Sequence, residues 1–199
     1  MTSKLNKLLL LLLAAALIFS LATATALAAD YPVWVGSTQV TSSNMNDVLG
    51  DGKVSFDPST QTLTFNEATV TDTHTGMYVC IYSDGQDLTV KGKVTVSGQQ
   101  YGIYVEGAKL TIDGDVTVTG AQFGIEAIDV EIKSGNVNVT GSSFGIGSRP
   151  DSGGSITISG GTVTATGDDY GILASKGTVT VAGDSTQRSE EHTSVLQSR

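Results

Sequence analysis

The sequence predicts an all-β chain: a parallel β-helix solenoid with about 22 residues per three-strand rung, behind an N-terminal β capping segment. Composition is the first observation behind this. Residues 29–187 hold 24 Gly, 22 Thr and 19 Val but only five Leu. Val and Thr suit a pleated surface and Gly supplies tight turns, whereas helices favour Ala, Leu, Glu and Lys. The second observation is a repeat. Tyr101-Gly-Ile-Tyr-Val105 recurs as Phe123-Gly-Ile-Glu-Ala127, Phe144-Gly-Ile-Gly-Ser148 and Tyr170-Gly-Ile-Leu-Ala174, after a degenerate copy, Val79-Cys-Ile-Tyr-Ser83. Successive copies lie 22, 22, 21 and 26 residues apart. The third is that two more short alternating segments follow in each period, of the kind Leu110-Thr-Ile112 and Val116-Thr-Val118.

Along the chain, residues 1–28 read as a secretory signal peptide. Lys4 and Lys7 precede 12 unbroken apolar residues, Leu8 to Phe19, and Ala26-Leu27-Ala28 offers a cleavage site. A spanning helix needs roughly 18 or more apolar residues, so no membrane span is expected once the leader is cleaved. Residues 29–75 are assigned to an N-terminal β cap. Within it Tyr31 to Val40 reads as strand, and Val54-Ser-Phe56 turns through Asp57-Pro58-Ser59 to return as Leu63-Thr-Phe65. An open solenoid end exposes unpaired strand edges, which such a hairpin would cover.

Residues 76–187 form the solenoid, about five rungs. Alternation sends Ile103, Val105, Leu110, Ile112, Val116 and Val118 inward. One rung cannot regain by burial what ordering its backbone costs, so several must stack. The same alternation places Tyr101, Phe123, Phe144 and Tyr170 inward as a stacked aromatic core, and Tyr82 and Tyr104 outward and exposed. The longer fourth period carries turn residues at Arg149-Pro-Asp-Ser-Gly-Gly154, as a solenoid insertion would. Residues 188–199 break with everything before them. They resemble the conceptual translation of a sequencing-library adapter, with Val195 where that translation carries Glu, and are assigned to a non-native tail. No second cap follows the last rung, and a truncated chain is expected.

Charge and cysteine content remove several function classes. Residues 29–187 carry 18 acidic and seven basic groups, against nucleic acid and anionic membrane as partners. Cys80 is the only cysteine, so no intrachain disulfide or Cys-x-x-Cys metal site can form; it is expected to fill a Gly position. Within residues 29–187 the one Arg, Arg149, and the one His, His74, fall on separate segments, and no paired carboxylates flank a visible cleft. Lyase or glycosidase chemistry therefore lacks its groups, and no enzyme is expected.

Outward positions supply the candidate sites. Tyr82 and Tyr104, on adjacent rungs, could stack on the apolar face of a sugar or simply form a cross-strand pair. Lys91 and Lys93 stand one rung from Asp113 and Asp115, as an ion-pair ladder or, for the aspartates, half of a Ca2+ site. Asp168 and Asp169 are the other candidate ligands. No cofactor is required by this reading; Ca2+ is an optional addition. Thr95-x-Ser97, Thr117-x-Thr119, Asn138-x-Thr140 and Thr164-x-Thr166 make a hydroxyl array that sheet propensity explains, an ice-binding surface being its functional counterpart.

The stretch Tyr31-Pro-Val-Trp-Val-Gly-Ser-Thr-Gln-Val40, then Asp47-Val-Leu-Gly-Asp-Gly52, Val54-Ser-Phe-Asp-Pro58 and Leu63-Thr-Phe-Asn66, with the rungs that follow, resembles secreted Gram-positive-type bacterial surface proteins. These are commonly labelled right-handed parallel β-helix or carbohydrate-binding-domain proteins. The resemblance implies a right-handed solenoid, secretion and a place at the bacterial cell surface. With the residue reading it gives one expectation: a non-catalytic extracellular module that binds a polysaccharide or surface glycan, or mediates adhesion. Tyr82 and Tyr104, with acidic turns at Asp84, Glu106, Asp113 and Asp115, form the contact surface. The alternative is a stalk or spacer within a larger surface protein.

Overall fold

A computed structural model describes residues 28–71, 73–74, 76–149, 153–182 and 186–188. Most of residues 1–28, expected to be a leader, and of residues 188–199, expected to be a non-native tail, lie outside the described residues. Among the described residues every regular element is a strand, and no helix is long and apolar enough to cross a membrane.

The chain begins with β1 (Asp30–Val35) and β2 (Thr38–Thr41), an antiparallel pair joined through Gly36, whose φ is 61°. Next, β3 (Val54–Asp57) pairs antiparallel with β4 (Thr62–Val70). Asp57 makes the connecting turn. Its carboxylate accepts from the Ser59 hydroxyl at 2.7 Å, the Ser59 amide at 2.9 Å and the Thr60 hydroxyl at 2.9 Å, and these bonds hold its pKa below the usual value. Both hairpins then join the solenoid. Strand β1 adds antiparallel to β5 (Val79–Asp84), whereas β4 runs parallel to β6 (Leu88–Ser97) and lays down the first full ladder.

Five copies of the repeat stack from there into three parallel sheets. The first contains β5, β7 (Tyr101–Glu106), the end of β8 (Lys109–Ala127), the end of β10 (Asn136–Ser148) and β13 (Tyr170–Ala174). The starts of β4, β6 and β8 stack with β9 (Asp129–Ser134), β11 (Ile156–Ile158) and β14 (Val179–Val181) as the second. The third takes the ends of β4 and β6, the middle of β8, the start of β10, β12 (Thr162–Gly167) and β15 (Thr186–Arg188).

Register is what makes the core. Ile81, Ile103, Ile125 and Ile146 stack in the first sheet, Leu110, Val130 and Ile156 in the second, and Val116, Val137 and Val163 in the third. All six side chains expected inward are fully buried. Strands that keep equivalent apolar side chains in line hold every rung in one register, since a one-residue slip would turn them all outward.

The corner between the second and third sheets is a glycine column: Gly92, Gly114, Gly135 and Gly161. Gly92, Gly135 and Gly161 have φ of 86°, 91° and 80°, and a Cβ on any of the four would strike a backbone carbonyl of the rung below. In the fourth period, Val130 pairs with Ile156, so the extra residues lie between Ser148 and Ile156. The Ser148 hydroxyl closes that loop by donating to the Gly154 carbonyl at 2.9 Å.

Candidate functional site

Where the chain turns from the third sheet into the first, strand alternation fails. Gly102 and Gly124 point inward, since a Cβ there would strike Val118 and Val139 side chains, and the next residues, Ile103 and Ile125, point inward too. Two successive inward residues leave the preceding aromatic outside. Tyr101, Phe123, Phe144 and Tyr170 therefore form an outer column rather than the inward aromatic core expected from period-2 alternation. Phe144 shows this directly, because a Cβ on outward-facing Gly147 would lie 2.5 Å from its ring. On the first rung Val79 holds the outer place, while Cys80 aligns with Gly102 inside and is fully buried.

The first three rings of the column touch in sequence. Ring centroids lie 5.1 Å apart for Tyr101 and Phe123 and 4.7 Å for Phe123 and Phe144. The first three rings are half-buried; Tyr170 is 40% exposed. Beside it runs a second column, Tyr82, Tyr104, Glu126 and Gly147.

Tyr82 and Tyr104 do point out of the barrel, but they are not exposed: they retain 3% and 7% of their accessible surface. The expectation of two exposed stacking platforms is corrected by what covers them. Trp34 sits opposite Tyr82 in the antiparallel pairing of β1 with β5, its ring 5.4 Å away. His74 packs 4.9 Å from Trp34 and 5.4 Å from Tyr82. Tyr101 stacks on Tyr104 at 4.8 Å, and the Arg149 guanidinium lies 5.8 Å from the Tyr104 ring centre.

Charge gathers at the edge of this cluster. The Tyr82 hydroxyl donates to Glu106 Oε2 at 2.7 Å; burial first, then that bond, pushes the phenol pKa above its ordinary range. Burial pushes Tyr104 up to about 12 despite the opposing charge of Arg149. Arg149 bridges two rungs, with Nη1 3.8 Å from Glu106 and Nε 3.9 Å from Glu126. Burial raises the Glu126 pKa, and Arg149 opposes the shift. The face thus offers half-buried rings with a compact acid–base cluster at one border, a surface suited to the apolar side of a pyranose with hydroxyls reaching the carboxylates.

The aspartates lie elsewhere. Asp113 aligns with Lys91 and Asp115 with Lys93, as the ladder reading requires, but Lys93 reaches down to Glu67 at 2.9 Å. Asp113 accepts from Ser134 Oγ at 2.7 Å and Asp115 from the Asn136 amide at 2.7 Å. Asp168 is exposed and Asp169 accepts from Ser143 Oγ at 2.8 Å, at the corner before the first sheet rather than the one that holds Asp113 and Asp115. The structure does not bring the two pairs together. Among the described residues, no three His, Cys, Asp or Glu side chains cluster to hold a metal.

The hydroxyl array forms as expected on the third sheet, with Thr95, Thr117, Asn138 and Thr164 in one column. What sequence reasoning missed is the cover on the tyrosines, Trp34 and His74, and the bridging role of Arg149. A sign was present: Gly-Ile after each aromatic puts a residue with no side chain and an obligate core residue side by side, which marks a corner rather than a strand centre.

No curated protein and no solved structure matches the chain. A family model described as carbohydrate-binding domain-containing protein matches residues 36–197. That match runs from the turn after β1 through every rung, and the chain belongs to this carbohydrate-binding domain family.

Proposed function

We propose that the chain is a non-catalytic extracellular module, working at a bacterial surface, that binds an uncharged polysaccharide along the outer aromatic column of its first sheet. The observation carrying this is the row Tyr101, Phe123, Phe144 and Tyr170: aromatic residues at one register position on successive rungs, the first three in ring contact and the last open to solvent. A sugar chain lying along the solenoid axis meets one ring per rung, about 4.7–4.9 Å apart. Glu106 and Glu126 border the row and Arg149 is shared between them, which disfavours an anionic glycan.

Affinity electrophoresis of the chain through a neutral β-glucan and through polygalacturonate, each with calcium and with chelator, tests the reading. Retardation by the neutral glucan regardless of calcium, lost on Tyr170→Ala, is the expected result. Calcium-dependent retardation by polygalacturonate instead moves the site to the acidic turns of Asp113, Asp115, Asp168 and Asp169. If folded protein migrates unchanged in every gel, the chain is a spacer, a reading that its regular, hydroxyl-covered third sheet also supports.

A further inference from the structure

The outer aromatic column stops at Val79, and the residue just before it is Tyr78, whose backbone φ is 52°. A bulky L-residue in this left-handed region is strained relative to the ordinary helical conformation, so a turn of this geometry normally takes Gly or Asn. The turn itself is well defined. The Tyr78 amide donates to the His74 carbonyl at 3.2 Å, and the Tyr78 carbonyl accepts from the amides of Gln100 and Tyr101, each at 3.3 Å. All of these are backbone bonds that glycine would make equally well.

Among the described residues, two others besides glycine share the left-handed conformation, and each has a partner for its side chain. The Gln61 amide donates to the Pro58 carbonyl at 2.8 Å, and Glu67 pairs with Lys93 at 2.9 Å. Tyr78 has none: among the described residues its ring stacks on no other ring, its hydroxyl makes no hydrogen bond, and it is 53% exposed. A strained, half-open aromatic ring with no ring contact or side-chain hydrogen bond among the described residues, at the first-rung end of an aromatic row, matches the placement of strain at ligand contacts.

We infer that Tyr78 is a specificity-determining contact: it extends the aromatic row by one rung and takes a terminal pyranose ring of the bound glycan. This rests on the glycan reading above and adds the residue that sets the length of chain recognised.

The test separates the two. Tyr78→Gly and Tyr78→Phe are compared with the unaltered chain by affinity electrophoresis in neutral β-glucan, alongside thermal unfolding. The expected result is binding about fivefold to tenfold weaker for Tyr78→Gly with a melting temperature no lower than the parent's, and retained binding for Tyr78→Phe. A Tyr78→Gly chain that binds as well as the parent overturns the role of Tyr78 and leaves the glycan reading standing. A clear drop in its melting temperature overturns it too, because the side chain would then serve the fold. If neutral glucan does not retard the parent, the glycan reading fails and takes this inference with it.

Discussion

Truncating Tyr82 tests whether the first-sheet tyrosines are structural. Tyr82 is 3% exposed, packed against Trp34, His74 and Tyr104, and hydrogen-bonded to Glu106. Removing the whole ring is expected to cost about 3–5 kcal/mol, as for other buried aromatics. Tyr82→Phe keeps the ring and removes only the hydroxyl. Because the Glu106 side chain is 40% exposed, it regains water, and the loss should be about 0.5–1.5 kcal/mol. The difference of about 3 kcal/mol is the ring's own packing. At a urea slope of about 2 kcal/mol per M, Tyr82→Ala should unfold about 1.5 M earlier than Tyr82→Phe. Trp34, the only tryptophan, lies on Tyr82, so its fluorescence reports the cap while far-UV circular dichroism reports the solenoid. In Tyr82→Ala the fluorescence transition should precede the dichroism transition, since each rung contacts only its neighbours. Equal midpoints for Tyr82→Ala and Tyr82→Phe would refute the burial argument and restore the exposed-platform view.

Three more perturbations follow from the same geometry. Gly114→Ala places a Cβ against the Gly92 backbone, which cannot swing aside, and should lower stability by about 3 kcal/mol or more, whereas Gly50→Ala, open on all sides with φ +74°, loses only about 1 kcal/mol to backbone strain; urea midpoints separate them. Tyr82, Tyr101 and Tyr104 all have raised pKa values, so the stability they contribute is complete below the ordinary phenol value of 10.0 and is lost as pH climbs through their folded values, about 12 for Tyr104. Phenolate absorbance in a pH titration should show these three ionising late, with unfolding close behind. Glu126 is an acid with a raised pKa, so its favourable contribution is present below 4.5 and fades as pH rises through the folded value. Glu126→Gln should therefore raise the thermal midpoint at neutral pH and make no difference in acid; a lower neutral midpoint would mean that the Arg149 contact dominates.

Much of this was legible because the repeat writes the same chemistry at the same place in each rung. Ile103, Ile125 and Ile146 announce a core column by spacing alone, and the 26-residue period locates its own insertion near Arg149. The side of the sheet on which the aromatics lie was not legible. Period-2 reasoning extrapolates through Gly102 and Gly124 as if they were strand centres, and they are corners, where alternation lapses. The cover over Tyr82 was equally hidden. Trp34 reaches it only because β1 pairs antiparallel with a strand far along the chain, and His74 belongs to no repeat. Arg149 looked isolated for a related reason: its carboxylates are two neighbours across rungs, on Glu106 and Glu126, rather than along the chain.

The glycine column at one corner fixes more than a turn. Each of its backbones closes on the rung below, and the length of chain there changes by no more than one residue between neighbouring rungs. The seam between the first and second sheets has close glycines too, Gly154 against the Ile128 carbonyl and Gly177 against the Gly154 carbonyl, yet its links run to three, two, one, seven and four residues in successive rungs. Divergence in this architecture is thus channelled mainly into one seam, the one that Arg149 opens beside the aromatic row. Loops there could be lengthened, exchanged or grafted to reshape what the module recognises while the stack beneath keeps its pitch.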